Sequence, residues 1–374
     1  MAEFQQVLRE KASLGEQDFA ALQLNQPVVR LVPTSNKREV AVTGLVTINA
    51  SAEDFLRSYR DSMLQKSNAA ILEIGRFGPE PALADIEGLT LEAKDIEDLK
   101  ECVAGACQVK LSAAMIERFR NEIDWAAPDY QGRVTNLFKE ILVAYIKNYQ
   151  ARGEAALIEY SDKRDRVSLA TEQRALSSAG GYVNSFLADT KSGLQLIEES
   201  LVWSKIKFGL KPVIAINHIS IYKRNSGVGP QVLVASKQIY ANHYFNAFHA
   251  LTAFVNVPGA TYLVYENRSR ADGFEGPFGK IKRGVVEKKA LEGLRGIIAQ
   301  SKASLEGPTL TATTAEFSAP YSDGWGHRLF GGIRPLLWLL VLSAIIALLV
   351  LGRRRTDSAT AAKGKALKPE SVKS

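Results

Sequence analysis

The chain has 374 residues, 46% of them hydrophobic, which supplies enough apolar material for one large domain or two to three smaller ones. Its formal charge of +7 is concentrated at the C-terminus, where Arg353, Arg354, Arg355, Lys363, Lys365, Lys368 and Lys373 stand against Asp357 and Glu370. The rest of the chain is close to neutral and offers no basic stripe of the kind a nucleic-acid-binding domain needs, so nucleic acid is not an expected partner.

Residues 1–25 read as an amphipathic helix and contain no apolar stretch as long as a secretion signal. VVRLVPTSNKREVAVTGLVTINA reads as extended, and Val40 to Ile48 within it is rich in β-branched residues, as a buried strand would be. Ser51 and Asp54 in the following NASAEDFLRSYRDSML form a capping-box pattern. Phe55, Tyr59 and Met63 then recur every four residues, which gives a helix one apolar face.

Residues 66–112 are mixed and turn-rich, with a short helix at AKDIEDLKEC. Cys102 and Cys107 follow in ECVAGACQVKL. Their spacing suits a short disulfide loop in an oxidising compartment or two unpaired thiols in a turn. It lacks the further ligands of a metal site and differs from the C-x-x-C of a redox pair.

From Ala113 to Gln150 the pattern is helical, interrupted near AAPDYQG by Pro128 and Gly132. ALIEYSDKR reads as a strand and EQRALSSAGGYVNSFLAD as an interrupted helix. Lys211 to Arg224, then VLVASKQIYANHYFNAFHALTAFVNV and TYLVYENRSRADGF, are successive β-rich runs joined by turn signals, the pattern of an antiparallel meander. GVVEKKALEGLRGIIAQSKASL is a long amphipathic helix with Val286, Ala290, Leu294, Ile297, Ile298 and Leu305 on one face.

Residues 307–331 are rich in Thr, Ala, Pro and Gly and read as a flexible linker. No residue from Pro335 to Gly352 is charged, and at about 1.5 Å per residue this run spans roughly 27 Å, close to the hydrocarbon thickness of a bilayer. It predicts a transmembrane helix over 332–352, followed by a basic disordered tail over 353–374. Only Arg328 and Arg334 precede the run closely. The charge asymmetry places the tail in the cytoplasm and the body in the periplasm or outside the cell. The lack of a visible secretion signal conflicts with that topology: either the start of the chain lies downstream of a removed or mis-called signal, or the protein is tail-anchored with a cytosolic body.

VAVTGLVTINASAEDFLRSY at one end and TYLVYENRSRADGFEGPFGKIKRGVVEKKALEGLRGIIAQSKASL at the other resemble the opening and closing segments of the START/Bet v 1-like superfamily. The resemblance implies an α+β helix-grip domain over 1–306: a curved antiparallel sheet gripping a long C-terminal helix, elaborated by a helical insertion around 66–200. It also implies an apolar cavity between sheet and helix. Tyr222, Tyr240, Tyr244, Phe248, Tyr262 and Tyr265 of the meander, with Leu294 and Ile298 of the helix, are the candidate lining residues. The competing reading is that they simply pack a core.

The superfamily shares no catalytic residue, so none is carried over. No nucleophile elbow, phosphate loop, dinucleotide fingerprint or H-E-x-x-H motif is present, and no cofactor or metal is called for. Glu266, Arg268, Arg270 and Asp272 form a dense charge cluster that reads as a solvated strand end, or as a site for an anionic head group. The expected function is membrane-tethered binding of a lipid or other hydrophobic small molecule. The alternatives are a non-catalytic envelope scaffold or protein-interaction module with a filled cavity, and a cyclase-like enzyme.

Overall fold

The computed structural model describes residues 2–64, 70–178, 193–207, 211–224, 229–272, 274 and 279–307. Helices α1 (Ala2–Ala12) and α2 (Glu16–Gln23) precede strands β1 (Val28–Val32) and β2 (Glu39–Thr47). Helix α3 (Ala52–Ser62) leads to β3 (Ile71–Phe77), and then come α4 (Ala93–Lys100), α5 (Ala113–Glu122) and α6 (Tyr130–Arg152). The short strands β4 (Glu159–Tyr160) and β5 (Val167–Ser168) pair with each other before α7 (Leu169–Ser178). Strands β6 (Gln195–Ile206), β7 (Val213–Lys223), β8 (Gly229–Ala241), β9 (Phe245–Val257) and β10 (Ala260–Ala271) form a meander, and α8 (Gly279–Glu306) follows.

Eight strands join in one antiparallel sheet of order β1-β2-β10-β9-β8-β7-β6-β3. Successive side chains of a strand point to opposite faces, and here both faces are apolar. In β7, Val213 and Ala215 join one buried cluster and Ile214 and Ile216 another. In β9, Ala250 and Phe254 lie on the first face and Leu251, Ala253 and Val255 on the second.

The first face is covered by α3 and α8. Phe55 and Tyr59 of α3 and Val286, Ala290, Leu294, Ile297 and Ile298 of α8 are all buried there, as their helical spacing predicts, and Leu305 packs against the cluster. The capping box at the start of α3 is formed: Asp54 N–H donates to Ser51 Oγ (3.1 Å) and Ser51 N–H to the Asp54 carboxylate (3.3 Å). The second face carries two separate layers. Helices α1 and α2 cover one end, with Leu8, Phe19 and Leu22, and α4 to α7 cover the other, with Ile96, Phe119, Phe138 and Leu176.

Several sequence expectations are corrected. The fold is a large eight-stranded sheet with helices on both faces, and the final helix lies over β2 and β1 at one end of it. No helix of the described residues is long and apolar enough to cross a membrane. The expected span over 332–352 lies outside the described residues, together with the linker over 307–331 beyond Gly307 and the tail over 353–374. The fold of the described residues therefore includes no transmembrane helix. The described helices bury one face and leave charged residues on the other, as Lys288 and Glu292 of α8 illustrate. Two stretches assigned to the helical insertion, Ile71–Phe77 and the start of β6, are strands of the main sheet.

Gly44 on β2 shows how closely α8 approaches. A Cβ built there would lie 2.1 Å from Ile298 Cδ1 and 3.1 Å from Leu294 Cδ2. Gly44→Ala is expected to destabilise the fold by about 1–3 kcal/mol through overpacking, measured as a shift in the urea midpoint. Ile298→Val, which removes Cδ1, recovers part of that loss in the double mutant. Strict additivity of the two substitutions would contradict the contact.

Candidate functional site

The aromatic residues expected to line one cavity are divided between the two faces. Phe248, Tyr265, Leu294 and Ile298 are buried together beneath α8, with Tyr244 packed at the margin of that cluster. Tyr240 belongs to the layer of α4 to α7 on the opposite face, and Tyr262 and Tyr222 pack with α1 and α2. Strand periodicity accounts for the division, because Tyr262 and Tyr265 are an odd number of residues apart and point to opposite sides. Phe248, Tyr265, Leu294 and Ile298 are each no more than 1% exposed. They belong to one packed cluster, and lipid binding gains no support from them.

The charge cluster of β10 is not a solvated strand end. Glu266, Arg268 and Arg270 are buried. Arg268 donates to Glu39 and Glu266, both at 2.8 Å, and Arg270 donates to Glu39 and Glu172, both at 3.2 Å. Arg38 closes the network on Glu172 at 3.1 Å. Three guanidinium groups meet three carboxylates, the balance that buried charge requires. Asp272 stands apart, accepting from Asn246 at 2.8 Å and pairing with Lys110 and Lys163.

A row of basic side chains crosses the second face in register: His218 opposite Lys237, Lys237 opposite His249, His249 opposite Arg268. His218 Nδ1 meets the Tyr149 hydroxyl at 2.9 Å and its Nε2 meets Glu199 at 3.0 Å. Lys237 donates to Glu154 at 2.9 Å. His249 Nε2 is buried without a hydrogen-bond partner among the described residues. Burial, then the neighbouring charge of Lys237, pushes the His249 imidazole down to about 4, with Glu154 opposing. Burial also lowers His218, against the pull of Glu199.

At the β8–β9 turn, His243 Nε2 lies 3.0 Å from Asp95, which also takes Lys211 at 2.9 Å. Burial alone would raise the Asp95 carboxyl. The hydrogen bonds and charges of His243 and Lys211 outweigh it and hold the carboxyl below the usual range. All these partners are side chains of the protein, so the arrangement ties α4 to the turn. Among the described residues no group of His, Cys, Asp and Glu is disposed to hold a metal ion.

Among the described residues an open groove of about 560 Å³ lies elsewhere, between α5, α6 and the stretch from Ala156 to Arg166. That volume falls within the usual range for ligand pockets. Met115, Ile141, Ala144, Tyr145 and Ile158 contribute apolar surface, while Arg118, Asn148, Glu159 and Arg166 add polar groups. The Tyr145 hydroxyl is fixed by donating to the Ile239 carbonyl at 2.7 Å. Ser112 caps α5 by accepting from Met115 N–H at 3.3 Å. Arg118 is held by Glu122 at 2.5 Å and Arg166 by Glu159 at 3.2 Å.

None of the eight predicted lining residues borders this groove. Its sequence signal was faint: Ala144 and Asn148, four apart on α6, interrupt an otherwise bulky helix surface. In the loop between α4 and α5, Cys102 and Cys107 form a disulfide. No family model, curated protein or solved structure matches the chain.

The His249 environment has a pH signature. The fold favours the neutral imidazole down to about 4, whereas the unfolded chain takes up the proton near its ordinary value of about 6.5. Between those values the unfolded state binds more protons, so stability falls as pH drops through this window and the effect levels off below it. Urea midpoints at stepped pH are expected to show that slope, and His249→Gln is expected to flatten it. An imidazole that titrates near 6.5 by NMR would contradict the assignment.

Proposed function

We propose that the protein is a non-catalytic binding module. The packed sheet serves as its scaffold, and the groove beside α5 and α6 takes an extended peptide segment from a protein partner. The carrying observation is a contrast: the space between sheet and α8 is filled by side chains, while an open groove of about 560 Å³ lies on the helical layer. The groove combines an apolar surface with charges of both signs. A peptide supplies apolar side chains, backbone donors and acceptors, and charged groups together, which suits such a surface. An acyl chain is better matched by an enclosed apolar cavity.

The runner-up is an enzyme built on the Glu199–His218–Tyr149 relay. A carboxylate, an imidazole and a phenol in line have the connectivity of an acid–base chain. None of the three lines the groove, however, and Tyr149 is buried. The relay joins α6 to β6 and β7.

Ala144→Trp fills the groove from a position on α6 without removing any hydrogen bond described above. Selection of a displayed peptide library on the wild-type protein is expected to yield binders that lose about ten-fold or more in affinity for Ala144→Trp, equivalent to about 1.4 kcal/mol. Peptides that bind both proteins equally would reject the groove as the site. Failure to enrich any peptide, with small apolar molecules bound instead, would reject the peptide reading.

A further inference from the structure

The Cys102–Cys107 disulfide closes a loop whose backbone bonds reach one wall of the groove at Ser161. The intervening loop turns back at Gly105, whose φ of +88° favours glycine, and Ala106 N–H donates to Val103 O at 2.9 Å. From this loop Gly105 N–H donates to Ser161 O at 2.7 Å and Cys107 N–H to Asp162 O at 2.9 Å. Ala106 is bridged to Lys163, and Ser161 N–H returns a bond to Leu111 O at 2.7 Å. Residues 105–111 are thereby zipped to 161–163. The next residue, Ser112, caps α5, and Ser112 and Ser161 both line the groove.

The bond spans a sequence separation of only five residues. A loop so short removes little entropy from the unfolded chain, so its contribution to global stability is at the small end for disulfides. Its local effect is larger, because it fixes the backbone that presents two N–H groups to the opposite wall. Beneath the zipped segment, buried Lys110 holds Asp162 at 3.7 Å and Asn246 at 2.9 Å, which extends the same constraint to β9.

Resting on the reading of the groove as the binding site, we infer that Cys102–Cys107 is a redox clasp on that site: closed, it orders the wall at 161–163, and opened by a dithiol reductant, it releases it. A thiolate of the reductant attacks one sulfur, and the S–S bond breaks to leave a mixed disulfide and one cysteine thiolate. The second thiol of the reductant then displaces the other cysteine. Two electrons and two protons pass to the protein, giving two cysteine thiols and the oxidised, cyclised reductant. Both cysteines are buried under the exposed tip at Val103 and Ala104, so the reductant gains access when that tip lifts.

Hydrogen exchange of the full-length protein, followed by mass spectrometry with and without dithiothreitol, tests the clasp. Segments 103–107 and 159–163 are expected to exchange about ten-fold faster or more after reduction. Segments of β9 and β10 are expected to be unchanged, and reoxidation to restore protection. The double variant Cys102→Ala, Cys107→Ala should reproduce the reduced pattern without reductant. Exchange within two-fold of the oxidised protein in both segments would overturn the inference. So would acceleration spread equally over β9 and β10, which marks general destabilisation. The readout needs no bound peptide, so failure of the clasp and failure of the peptide site are separate results.

Discussion

A sheet whose central strands are apolar on both sides has to be covered twice. Antiparallel sheets often leave one face in water, but β7, β8 and β9 alternate between two buried clusters with hardly a solvated position in their middle stretches. Helices α3 and α8 suffice for the first face. The second is wider, and two groups of helices divide it, α1 and α2 at one end and α4 to α7 at the other. That requirement explains why the chain inserts so much helix between β3 and β6. The groove is lined by residues of this helical layer and the stretch after it.

Where the two groups of helices meet, the apolar surface gives way to charge. Along β9, Ala247 belongs to one layer and Leu251 to the other, with His249 between them. The same seam runs through His218 and Lys237 and ends in the network of Glu39, Glu172, Glu266 and three arginines. Charges buried this way add little net stability, yet removing one partner strands the other. They also specify register, because a one-residue slip of β10 against β2 would turn Arg268 and Arg270 toward α8.

What was legible in the sequence followed from local pattern. Phe55 and Tyr59, the Ser51–Asp54 box, the apolar stripe of α8 and the meander from Lys211 onward each reside within a few turns of chain, and each is formed. What was not legible depends on distant partners. Arg268 and Arg270 looked solvated because Glu39 lies more than two hundred residues away. Ile71–Phe77 carries Glu73, Gly75 and Arg76 among its apolar residues, and pairing with β6 is what makes it a strand. The aromatics of the meander share a residue type but not a parity, and parity decides the face each one occupies. The uncharged run near the C-terminus gave a strong compositional signal for a span that has no counterpart among the described helices. The groove needs α5, α6 and residues 156–166 to converge, and no periodicity announces that.

The pairing of β2 with β10 sets the order in which the molecule can assemble. Thr43 donates to the Tyr265 carbonyl across 222 residues of sequence, whereas β6 to β10 pair with neighbours close in sequence. Local pairings close small loops and form first; distant ones must wait for the intervening chain. During synthesis β2 emerges before β10, its partner, which follows more than two hundred residues later. Until then β2 presents Val40, Val42 and Val46 without the strand or the helix that will bury them. The nascent chain thus carries an exposed valine-rich strand until β10 is made, and chaperone demand should be greatest in that interval.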